Sequence, residues 1–105
     1  MFVAEKVEED FKQRLSHTIR LIQSYQVEYL EIGIFGSYAR GEYKSTSDID
    51  VCVVVKEKPS RYVSGELREE ADIMRVDIVF VTPDYLQSGE EPFAIQLRQD
   101  YQRIV

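Results

Sequence analysis

Five residues between Phe35 and Asp50, with one aspartate further along, carry groups suited to chemistry on phosphate. The stretch reads Phe-Gly-Ser-Tyr-Ala-Arg-Gly-Glu-Tyr-Lys-Ser-Thr-Ser-Asp-Ile-Asp. Gly36 lets backbone approach a ligand with no side chain in the way. Ser37 offers a hydroxyl and an N–H at the opening of a helix turn, where the dipole favours an anion. Asp48 and Asp50 are two apart on a predicted strand, so both carboxylates leave one face while Ile49 and Val51 point to the other. Two like charges at ~4 Å repel by about 4 kcal/mol at an effective dielectric of ~20, so the pair requires a cation or a shared proton. Oxygen-only ligands select a hard cation that keeps positions open for water and substrate phosphate, which makes magnesium the expected ion. Asp77, among Val76, Ile78, Val79 and Phe80, would be costly to leave unpaired and is the candidate third ligand. If its strand adjoins that of Asp50, the three carboxylates suit two metal ions roughly 3.5–4 Å apart. Asp77 would also be placed to take the proton of an attacking hydroxyl.

Other chemistry-bearing residues are assigned less. Arg40 either neutralises substrate phosphate, as a cofactor-binding residue, or partners a carboxylate; its sequence context fits both. His17 lies on the polar side of a predicted helix without a ligand pattern around it and receives no role. Cys52 shares a face with Asp48 and Asp50 but is flanked by valines, where a free cysteine acts as a small hydrophobe. Glu66, Glu69, Glu70 and Asp72 read as a solvated face, with contact to a basic partner as the alternative.

The elements that must position these residues follow from periodicity. Val7, Phe11, Leu15, Ile19, Ile22 and Tyr25 recur at spacings of three and four and predict one amphipathic helix over residues 4–25. Tyr29–Phe35 predicts a first strand ending at Gly36-Ser37. The β-branched run in Ser47–Val55 predicts a second, central strand. Arg61–Met74, Glu-rich and interrupted by Gly65, reads as a loop plus a weak helix. Arg75–Val81 predicts a third strand, Pro92–Arg98 a helix with proline near its start, and Tyr101–Val105 an edge strand.

Composition sets outer bounds. The chain has 105 residues, 44% hydrophobic and 30% charged, which fits one folded domain spanning 1–105 and leaves no room for a second core. With 13 basic against 19 acidic residues the net charge is −6, the wrong sign for general attraction to nucleic acid. No direct nucleic-acid binding is expected. Acidity does not exclude a phosphate substrate, since a carboxylate-held divalent metal reverses the local field. One cysteine cannot form an internal disulfide, and no apolar run approaches the ~18 residues of a membrane span. The expectation is a cytoplasmic protein without membrane contact.

The stretch resembles the signature of the DNA polymerase β-like nucleotidyltransferases, Gly-Ser, about ten residues, then Asp-any-Asp. Here ten residues separate Ser37 from Asp48. Four fixed residues at average usage would arise by chance in roughly one sequence per thousand of this length. Small size and the wording Gly36-Ser37-Tyr38-Ala39-Arg40-Gly41 are similar to the minimal nucleotidyltransferases, the antitoxins of HEPN/MNT toxin–antitoxin systems. Val76-Asp77-Ile78-Val79 matches the family's third-aspartate position. The resemblance implies an α/β (α+β) nucleotidyltransferase fold, a small mixed sheet with helices on one side. It implies magnesium-dependent transfer of AMP from ATP to a tyrosine hydroxyl of a cognate HEPN ribonuclease toxin. Asp48, Asp50 and Asp77 would then hold metal and carry catalysis, and Gly36, Ser37 and Arg40 would hold the nucleotide. Two alternatives stay open: an antitoxin that neutralises its partner by covering it, and transfer to a small molecule or RNA end. A homo-oligomer is likewise left open.

Overall fold

The computed structural model describes residues 3–105, so Met1 and Phe2 of the expected 1–105 unit lie outside it. Helix α1 (Val3–Ser24) forms because Phe11, Thr18 and Ile22 return to one face, where all three are fully buried. Burying a Phe or Ile side chain contributes about 1.5–3 kcal/mol. The buried Thr18 hydroxyl is satisfied by donating to the Arg14 carbonyl at 2.8 Å. Gln26, at φ 58°, turns the chain away beyond the helix end.

Four strands form one mixed sheet, β1 (Glu31–Phe35), β2 (Ile49–Val54), β3 (Val76–Val81) and β4 (Gln102–Arg103), in the order β3-β2-β1-β4. β1 runs antiparallel to β2 and β4, whereas β2 and β3 are parallel. A parallel pair needs a crossover, and helix α3 (Arg61–Ile73) supplies it. The expected edge strand is present as the two residues of β4.

Alternation along the strands creates two apolar faces. Ile34, Ile49, Val51, Val53, Ile78 and Phe80 cluster with Phe11 and Ile22 of α1 and with Leu67 and Ala71 of α3. Phe35, Cys52, Val54 and Val81 point the other way and meet Leu97 of α5 (Pro92–Asp100), with Tyr85 and Leu86 of α4 (Pro83–Ser88) packed alongside. The α/β class and mixed sheet are as expected, but helices lie on both faces rather than on one. The cause is the unbroken run Val51-Cys52-Val53-Val54, all buried, which presents apolar groups to both sides of the sheet and needs cover on each.

Two further elements differ from the sequence-based expectation. Arg61–Ile73 is a full helix, not a loop with a weak helix. The Ser60 hydroxyl caps its start by accepting from Val63 N at 3.2 Å, and Leu67 and Ala71, one turn apart, are fully buried. α4 was not expected; Thr82 caps it by accepting from Tyr85 N at 3.4 Å, with Pro83 in the first turn. No described helix is long and apolar enough to cross a membrane.

Candidate active site

Sheet register builds the site. Phe35 is the Cα partner of Asp50 across β1 and β2, and Asp50 is the partner of Asp77 across the parallel pair β2 and β3. In-register neighbours of parallel strands direct their side chains to the same face, so Asp50 and Asp77 stand side by side. Both line a cleft of about 530 Å³ with Phe35, Asp72, Glu69 and Phe93. That volume lies within the range of about 300–1,000 Å³ usual for small-ligand sites. A larger hollow of about 660 Å³, lined by residues such as Tyr25, Leu30 and Lys56, lies at the opposite end of β1 and β2 and holds none of the aspartates.

Gly36 follows Phe35 and opens the short helix α2 (Gly36–Arg40). It sits at φ +74°, and a Cβ there would fall onto Oδ2 of Asp50, 3.1 Å from its Cγ. Only glycine makes this turn while leaving the Asp50 carboxylate where it is. α2 closes with Gly41 in the left-handed region, whose N–H donates to Tyr38 O at 3.1 Å while Glu42 N donates to Ser37 O at 2.9 Å. The connection from there to Asp48 is held down by aromatic packing. Tyr43 lies 4.7 Å from the Phe11 ring and 4.9 Å from the Tyr38 ring, centroid to centroid. Lys44 N donates to Ser47 Oγ at 2.8 Å, tightening the approach to β2.

Asp48 stands just ahead of β2, and its carboxylate has a partner that sequence reading missed. Arg75 Nε lies 3.4 Å from Asp48 Oδ1. Arg75 occupies the turn from α3 into β3 at φ 60°, a conformation that costs an L-residue roughly 1–2 kcal/mol. Arg14 pins that turn, donating from Nε to Met74 O and from Nη2 to Arg75 O, each at 2.7 Å, and its guanidinium lies 4.5 Å from the Phe11 ring centroid. Ile49 N also donates to Arg75 O, at 3.1 Å, tying β2 to the same corner.

Electrostatics at the carboxylates report a shortage of positive charge. Burial first, then the Asp77 and Asp48 charges, push Asp50 from 3.8 up to about 6. Asp77 is also raised, by burial and by Asp48 and Asp72. A hard divalent cation with oxygen ligands fits this donor set. Among the described residues, however, no three acidic, histidine or cysteine side chains are already gathered into a metal-holding group. Mg²⁺ does not require such a cage, since it usually takes one or two carboxylates and completes its shell with water and substrate phosphate.

Arg40 sits as a carboxylate partner, its Nη1 2.7 Å from Asp100 Oδ2 on α5 and its Nε 2.8 Å from Glu42 Oε1. It joins α2 to α5, and its charge weakly favours ionised Asp50. Cys52 is fully buried and pushed up to about 12 by burial, so it packs rather than reacts. His17 is exposed. Phe93 was missed as a cleft residue; it is 44% exposed and meets Phe35 edge-on at 5.9 Å. Its place directly after the helix-opening Pro92 was the available signal.

A mixed sheet carrying paired aspartates beside a glycine turn is the architecture of nucleotidyltransferase-fold proteins. The chain belongs to the nucleotidyltransferase domain family, whose profile matches residues 5–103. It is 48% identical over 62 residues to the protein adenylyltransferase MntA of Thermococcus cleftensis, covering 56% of this chain and 61% of that relative. The match thus spans about three fifths of the relative's length. Among solved structures, a chain of a toxin–antitoxin complex with AMP-PNP is 24% identical at a TM-score of 0.59, covering 81% of this chain and 67% of that one. A chain from the complex of tri-AMPylated Shewanella oneidensis HEPN toxin with MNT antitoxin is 19% identical at a TM-score of 0.58, covering 88% and 69%. At these identities the structural likeness is one of fold.

Proposed function

We propose that this chain is a protein adenylyltransferase that acts as an antitoxin, moving AMP from ATP to a tyrosine hydroxyl of a HEPN-domain toxin in the cytoplasm. The observation that carries the proposal is the row Gly36, Asp50, Asp77 at one end of the sheet, with Asp48 two residues before Asp50. Support for the protein acceptor comes from the adenylyltransferase name of the Thermococcus relative, and support for the toxin partner from the toxin–antitoxin complexes among the structural neighbours.

In this reading Asp48, Asp50 and Asp77 hold Mg²⁺, which when bound supplies charge neutralisation to the phosphates. The backbone at Gly36 and Ser37 receives the triphosphate, and the Phe35 and Phe93 rings offer an apolar surface to the base. Arg40 steadies α2 against α5 beside that seat. The acceptor oxygen attacks the α-phosphorus, the bond to the bridging oxygen breaks, and pyrophosphate departs. Asp77, beside Asp50 in the cleft, takes the acceptor's proton.

The test is the intact mass of the toxin after incubation with this protein, ATP and Mg²⁺. One or more added AMP units support transfer, and the Asp48→Ala, Asp50→Ala double variant should abolish the gain while keeping the fold. Neutralised toxin of unchanged mass would refute transfer and favour an antitoxin that works by covering its partner.

A further inference from the structure

Asp48 and Asp50 are two residues apart yet meet different neighbours. Asp50 is paired in register with Asp77, whereas Asp48 is engaged by Arg75 at 3.4 Å, both side chains about half exposed. The three carboxylates are electrostatically coupled, yet among the described residues they do not form a metal-holding group. The residue that engages Asp48 does so from an unfavourable backbone. Arg75 sits at φ 60°, a conformation that glycine would adopt freely, and its carbonyl is fastened there by Arg14 and Ile49. The strained position is occupied by a guanidinium that reaches the site, which is where such strain concentrates.

We propose that Arg75 is the resident counter-ion of Asp48, exchanged for a divalent cation when the site loads. In the metal-free protein its guanidinium neutralises Asp48 and withholds it from Asp50 and Asp77; cation binding breaks the pair. Arg75 is therefore a positioning residue that acts through Asp48. The proposal rests on the assignment of the three aspartates as metal ligands. Because the pair is half exposed, its competition is mild, and its removal should tighten metal binding about two- to fivefold.

The experiment titrates the full chain, without nucleotide, with MnCl₂ and follows binding by calorimetry. Arg75→Gly should bind Mn²⁺ about two- to fivefold tighter than the parent, and Arg75→Lys should bind as the parent does. Arg75→Gln, which leaves the backbone demand unchanged, gives the same tightening if glycine loosens the turn. In an Asp48→Asn background the substitution at 75 should have no effect, which separates exchange at Asp48 from general charge repulsion. Unchanged or weaker binding in both neutral variants overturns the proposal, as does a full gain without Asp48. A parent chain that takes up no Mn²⁺, or binding indifferent to Asp50→Asn and Asp77→Asn, overturns the ligand assignment itself and the exchange with it.

Discussion

Replacing Asp50 by asparagine separates what the site demands from what the fold prefers. In the folded chain Asp50 binds its proton more tightly than in the unfolded chain, at about 6 against 3.8. The folded state therefore holds more protons between these values, and this group's contribution to stability falls as pH rises through that window and stays lower above it. At about 1.4 kcal/mol per tenfold change the difference would be about 3 kcal/mol for a shielded group. Asp50 is only partly buried, and solvent screening reduces the figure to the order of 1 kcal/mol. Asp50→Asn removes the repulsion without removing volume. It should melt about 4–8 °C higher than the parent at pH 8, given the entropy of unfolding of a chain near this size. The advantage should shrink towards pH 4, where the parent carboxyl is itself protonated. Thermal melts of both proteins at pH 4, 6 and 8, with and without Mg²⁺, provide the assay. Mg²⁺ should raise the parent's melting temperature at pH 8 and raise the variant's much less, while transfer activity is lost. A variant less stable than the parent at pH 8, by an amount independent of pH, would refute the reasoning.

Gly36→Ala should cost roughly 1–2 kcal/mol in a urea melt, from the left-handed backbone alone. Its Cβ meets the free end of the Asp50 side chain, which can swing aside, so loss of Mn²⁺ affinity should exceed what the stability change explains. Gly33→Ala is the harsher change. Its Cβ would lie 2.8 Å from Gln102 O and against the Tyr101 ring, and a destabilisation of about 1–3 kcal/mol by urea titration is expected. Arg40→Ala should lower the melting temperature because it takes the cationic partner from Asp100, whose side chain is only 7% exposed and would keep just the Gln96 amide at 3.2 Å. Adding Asp100→Asn should recover much of that loss.

Legibility in the sequence differed by feature, for physical reasons. The period-two placement of Asp48 and Asp50 opposite Ile49 and Val51 was readable because strand alternation is local. The run Val51–Val54 also announced two covered faces, but a purely apolar run carries no phase, and the second layer of helices went unread. Glu-rich surface and Gly65 obscured α3, whose evidence was the Ser60 cap and the Leu67, Ala71 pair one turn apart. Thr82-Pro83 both ends β3 and opens α4, and strand patterning alone shows only the first of these. Side-chain partners distant in sequence were out of reach. Arg40 finds Asp100 sixty residues away, and no periodicity connects Asp48 to Arg75. That Asp77 lies directly beside Asp50 needed the parallel register, which strand patterns alone leave unspecified.

β3 is the outermost strand on its side of the sheet, so one margin of the ladder is unfinished. Such margins template the addition of another molecule's strand and invite aggregation. Here the Arg68 Nε occupies Ile78 O at 3.2 Å, and the exposed Asp77 puts a negative charge on the same strand. Two copies approaching margin to margin would bring those like charges together. The acid assigned to chemistry thus doubles as a gatekeeper, and neutralising it would strip the protein of a safeguard against zippering into polymers.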